Sequence, residues 1–60
     1  MKEYEGKKVK LTVEREGKEL FYCANVLKVT DTHISFLDKF GIRYTFRISD
    51  VVQINEVNGE

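Results

Sequence analysis

Apolar and polar residues alternate along most of this chain, and the alternation changes phase at only a few places. In KKVKLTVER (7–15), Val9, Leu11 and Val13 share one parity, and Lys8, Lys10, Thr12 and Glu14 share the other. A repeat of two marks a half-buried β-strand, because successive side chains leave a pleated backbone on opposite faces. IRYTFRI (42–48) repeats the pattern, with Ile42, Tyr44, Phe46 and Ile48 expected inward and Arg43, Thr45 and Arg47 outward. ELFYCANVLKV (19–29) differs. Phe21, Cys23, Leu27 and Val29 fall on one parity and Leu20, Tyr22, Ala24 and Val26 on the other, so both faces are apolar. Such a stretch is expected to be a long strand bent across two halves of a barrel, or one whose outer face meets another subunit. Cys23 is expected there as a small buried residue.

Turn chemistry separates these runs. Gly17 in EGK (16–18) supplies the positive φ of a tight reversal. TDT (30–32) turns the chain, with Asp31 able to cap backbone amides, and HISFL (33–37) follows as a strand. In DKFG (38–41), Asp38 opens a turn and Gly41 takes the left-handed position, leaving Phe40 as an exposed ring in polar surroundings. SDV (49–51) interrupts the last alternating run; Ser49 is expected to cap a single helical turn before VQINEV (52–57) resumes. No segment carries a helical period. The expected fold is all-β: five short strands in a small, strongly bent, partly closed barrel, which also protects the edges of such short strands.

Sixty residues allow one domain (1–60), with its ordered core over about 7–57. Area scaling gives roughly 4,000 Å² of folded surface against about 10,000 Å² unfolded. Apolar burial of somewhat over half that difference contributes about 85 kcal/mol, and ordering the chain costs about 90 kcal/mol. These cancel within a few kcal/mol, and the single cysteine offers no disulfide, so a homo-oligomer is expected. Ten basic and ten acidic residues balance to zero net charge. That balance argues against nonspecific coating of nucleic acid but leaves room for a local basic spot. No apolar run has the length of a membrane span, and MKEYEGKK lacks the apolar core of a signal peptide. With one unpaired cysteine, the expected compartment is the cytoplasm. Neither metal-ligand spacing nor a phosphate-cradling glycine loop is present, and one histidine and one cysteine give no nucleophile–base pair. The expectation is a non-catalytic protein with no cofactor and no metal.

NVLKVTDTHISFLD (25–38) resembles the first motif of Sm-like proteins, the family of archaeal Sm proteins and bacterial Hfq, through Leu27, Lys28, Asp31, His33 and the apolar residues after it. The second motif resembles Phe46, Arg47, Ile48, Val51 and Ile54. The resemblance implies a ring of six or seven subunits that holds single-stranded RNA between the loops after the second and fourth strands. Carried over by position, Asp31, His33, Ser35 and Arg47 form the RNA site: His33 stacks on a base, and Arg47 contacts base or phosphate. Ser35 stands where the family has asparagine, while Ile48 and Asn25 stand where it has glycines. Six residues before the first strand are too few for the family's N-terminal helix. The alternative is an SH3-like barrel that binds another protein, or assembles with itself, without nucleic acid.

Overall fold

The computed structural model describes residues 1–57. Five strands, β1 (Lys8–Arg15), β2 (Lys18–Val29), β3 (His33–Leu37), β4 (Arg43–Arg47) and β5 (Val51–Glu56), form one antiparallel sheet in the order β4-β3-β2-β1-β5. The chain is all-β apart from two 3-10 turns, Lys2–Tyr4 and Ile48–Asp50, and no helix among the described residues is long and apolar enough to cross a membrane. Its accessible surface is 4284 Å², close to the area expected from its size.

The last connection forces the curvature. β4 and β5 are consecutive yet lie on opposite edges of the sheet, joined only by Ile48–Asp50. A flat five-stranded sheet is roughly 19 Å across at about 4.8 Å per strand, whereas a 3-10 turn rises only about 2 Å per residue. The sheet must therefore curl until its edges approach. No ladder pairs β4 with β5 among the described residues, so the expected barrel closure is not completed by backbone bonds. Ser49 lies inside this turn, and Arg47 takes the capping position without a side-chain bond, so Ser49 is not the cap expected of it.

Two bulges explain where alternation breaks. Val26 pairs with Phe36 and Lys28 with Ser35, so Leu27 is an extra residue on β2. The bulge shifts the parity: Ala24 and Val26 are buried before it and Val29 after it, while Leu27 is left outside. A second shift between Thr12 and Val13 opposite β5 leaves Val52 outside as well.

The core is Val9, Leu11, Val13, Ala24, Val26, Val29, Ile34, Phe36 and Phe46. Tyr22 and Tyr44 close it with their rings 5.0 Å apart and within 6.0 Å of Phe36 and Phe46. Two expected core positions lie elsewhere. Ile42 is 51% exposed because β4 begins one residue later. Its amide donates to Asp38 Oδ1 at 2.9 Å, which holds it in the β3–β4 turn. Cys23 is exposed, because Tyr22 and Ala24 carry the inward parity on that half of β2.

The N-terminal segment clasps the far end of β2. Gly6 N–H donates to Val26 O and Val26 N–H to Lys7 O. Three residues further along β2, beyond the point where β1 begins, Glu5 Oε2 accepts the Val29 amide at 2.8 Å.

At the other end, β1 and β2 are joined by Glu16 and Gly17, with φ of 53° and 78°. This is the left-handed pair that a two-residue hairpin requires, and glutamate adopts it at a penalty. Glu16→Asn is expected to stabilise the protein by about 0.5–1 kcal/mol, since asparagine tolerates this conformation. The check is a higher urea midpoint at unchanged slope.

Candidate nucleic-acid interface and aromatic groove

The two loops expected to form an RNA site do meet. Ile48 N–H, after β4, donates to Thr32 O, after β2, at 2.8 Å. His33 and Arg47 are directly opposite across the β3–β4 ladder, and both are exposed. Nδ1 of His33 shares a 2.8 Å hydrogen bond with Thr32 Oγ1, which orients the ring and leaves Nε2 free to bond elsewhere. Ser35 faces Thr45 two positions along, their hydroxyls 3.0 Å apart. That contact uses one hydrogen-bonding position of the serine hydroxyl and leaves at least one other open, though a single hydroxyl cannot pair with a base edge in two directions as an amide does.

Register extends this face. Lys28 lies opposite Ser35, and Arg43 lies opposite Leu37, on the same side of the sheet as His33 and Arg47. Three permanent cations thus share the outer face of β2–β3–β4 with Asn25, His33, Ser35, Leu37 and Thr45, and no acidic residue occupies a register position on it. The net charge of zero hides a segregated basic strip.

Asp31 is not part of that strip. It is exposed and lines a shallow depression with Met1, Lys2, Glu3, Val29, Thr30 and Ile48. The capping expected of it belongs to Thr30, whose Oγ1 accepts the amides of Thr32 at 3.3 Å and His33 at 3.0 Å. A hydroxyl two residues back reaches those donors, and the Asp31 carboxylate is left to solvent.

A concavity of about 630 Å³ lies on the other half of the sheet. Phe21, Tyr22, Phe40, Ile42 and Tyr44 form its apolar wall, and Lys10, Lys39, Gln53 and Asn55 its polar rim. Phe21 and Phe40 are 74% and 75% exposed, unusual for phenylalanine. The turn that presents Phe40 is held by Asp38, whose Oδ1 accepts the amides of Phe40 and Ile42, both at 2.9 Å. Lys39 Nζ lies 5.3 Å from the Phe40 ring centroid, placing positive charge at the tip of the wall. Burial raises the Tyr22 hydroxyl above the usual tyrosine pKa, and the neighbouring Tyr44 and Asp38 add to the rise. The phenol therefore stays neutral beside the groove at ordinary pH. The doubly apolar β2 and Phe40 in its polar turn were the sequence signals for this groove; its depth comes from the curl of the sheet.

The described residues contain no cluster of three or more metal-ligating side chains. No family model, no curated protein and no solved structure matches the chain.

Proposed function

We propose that this protein is a non-catalytic, Sm-like binding module that takes single-stranded RNA on the strip bearing His33 and Arg47. The observation that carries the reading is their cross-strand pairing on an outer face with three cations and no register acid. A flat ring beside a guanidinium suits an unstacked base and its phosphate: stacking contributes about 1–3 kcal/mol per base, and arginine donates in pairs. Ser35, tied to Thr45 on the same face, supplies at most a single hydroxyl contact in this reading, and Asp31 lies outside the contact. The open edges of β4 and β5 are the natural places for self-assembly, because unpaired edge amides and carbonyls template another strand. A reducing, cytoplasmic setting suits the exposed thiol of Cys23.

Fluorescence titration with labelled oligouridine at two salt concentrations tests the site. Arg47→Ala and His33→Ala are each expected to weaken binding by about 1–3 kcal/mol without unfolding the sheet. The salt slope should fall with Arg47→Ala and hardly move with His33→Ala, because only the guanidinium displaces counterions from phosphate. Absence of saturable binding by the wild type at about 100 μM in low salt would end the RNA reading. Native mass spectrometry of the same samples counts the subunits.

A further inference from the structure

β2 is longer than its partner on one side. β1 accompanies it from Lys18 to Asn25, but pairing with β3 starts only at Asn25. The stretch from Glu19 to Cys23 is thus a free edge on the side of the β3–β4 turn. The direction of its backbone groups follows from alternation. Val26 N–H and C=O both bond toward the N-terminal segment that continues β1. No register shift intervenes between Lys18 and Asn25, so Tyr22 and Ala24 also point toward β1, and Phe21 and Cys23 point their amides and carbonyls outward. Those outward groups lie at the aromatic concavity, which is lined by Phe21 and Cys23 themselves and faced by Phe40 and Ile42. A smaller depression shares Lys10, Cys23, Asp38 and Lys39 with it and continues to Lys8 and Asn25.

An unpaired strand edge, bulky apolar walls and a lysine rim occur together here. A main chain is the ligand that satisfies an edge, because its N–H and C=O groups complete the ladder while alternate side chains enter pockets. The rim sets the charge of that chain. Lys8, Lys10 and Lys39 line the two depressions, and the one carboxylate among the lining residues, Asp38, has Oδ1 committed to its own turn. We propose that the free edge of β2 receives an extended acidic peptide segment as an added strand. Phe21 and Lys10 share one face by register, so an apolar side chain against Phe21 is flanked two residues along the same face by a carboxylate beside Lys10, with Phe40 and Lys39 meeting the turn side of the segment. This site adjoins the RNA strip at Asn25 but uses neither His33 nor Arg47, so each stands or falls alone.

The experiment follows backbone amide signals of isotope-labelled full-length protein. The probes are the blocked peptide Glu-Glu-Phe-Val-Glu-Glu, which presents an apolar side chain flanked by carboxylates on each face, its lysine-for-glutamate counterpart and oligouridine. The acidic peptide is expected to shift Phe21, Cys23 and Phe40 saturably and to protect the Phe21 and Cys23 amides from solvent exchange. The basic peptide should bind at least about tenfold more weakly, from like-charge repulsion at the rim. Lys10→Glu combined with Lys39→Glu should invert that preference. Phe40→Ser should abolish binding while the far-ultraviolet spectrum stays unchanged, since this ring is 75% exposed and outside the core. The proposal is overturned if the acidic peptide shifts nothing at about 1 mM, a concentration that reports even weak complexes. It is equally overturned if both peptides bind alike, or if oligouridine moves the groove amides instead. Failure of oligouridine to move His33 and Arg47 ends only the RNA reading.

Discussion

Phe36→Ala is expected to lower stability by about 3–5 kcal/mol, the largest loss available to any single truncation in this chain. Phe36 is fully buried in β3, and its ring lies 5.2 Å from Tyr22, 5.7 Å from Tyr44 and 5.9 Å from Phe46. It packs against all three of these rings, so its removal leaves a cavity that β2, β3 and β4 all border. A domain of this length has about 3–9 kcal/mol in total, and the variant is expected to be largely unfolded at ambient temperature. Ile34→Ala, equally buried one pair along the strand, should lose about 2–5 kcal/mol by the same mechanism. Urea denaturation followed by circular dichroism gives both values. A change below about 0.5 kcal/mol at either position would mean that the register of β3 is wrong.

The second large effect lies outside the core. Glu5→Ala is expected to cost about 1–3 kcal/mol, because it strips the acceptor from a partly buried amide and leaves the Val29 N–H without the carboxylate. Glu5→Gln keeps an oxygen at the same reach and should lose clearly less, since only the charge on the bond disappears. Hydrogen exchange at Val29 separates this from general destabilisation: alanine should accelerate that amide well beyond its neighbours. Equal losses for the two variants would show that the carboxylate is not the Val29 acceptor in solution.

Much of this architecture was legible in the chain. The parity of Val9, Leu11 and Val13 marked β1, and the reversal at Gly17 and the turn at Gly41 lie where the residues indicated, while the interruption expected at Ser49–Val51 lies one residue earlier, at Ile48–Asp50. Cys23 and Ile42 were misplaced for different physical reasons. On β2 both parities are apolar, so alternation alone cannot choose between Cys23 and Tyr22; the choice is made by the aromatic cluster, which takes the tyrosine. Ile42 continues the alternation of β4, yet the two amides bound by Asp38 draw it into the turn. The bulge at Leu27 leaves no local signature, because an extra residue shows only when the partner strand is in place. The candidate site was half legible. His33 and Arg47 stood out by residue type, and their adjacency is a matter of pairing. The basic strip was hidden because net charge sums over faces, and Asp31 was credited with bonds that Thr30 makes.

The path of the chain through the sheet has a temporal side. β1–β2, β2–β3 and β3–β4 are neighbours in sequence as well as in space, so each can close as a hairpin within about 1–10 μs. Only β5 must find a distant partner, setting Glu56 against Val9 near the opposite end of the chain. That search carries the main loop-closure entropy in the fold and is expected to follow the closing of the local hairpins. β5 brings only the partly buried Val51 and Ile54 to the core. Substitutions at Val51 and Ile54 are therefore expected to speed unfolding more than they slow folding, which stopped-flow kinetics would read directly.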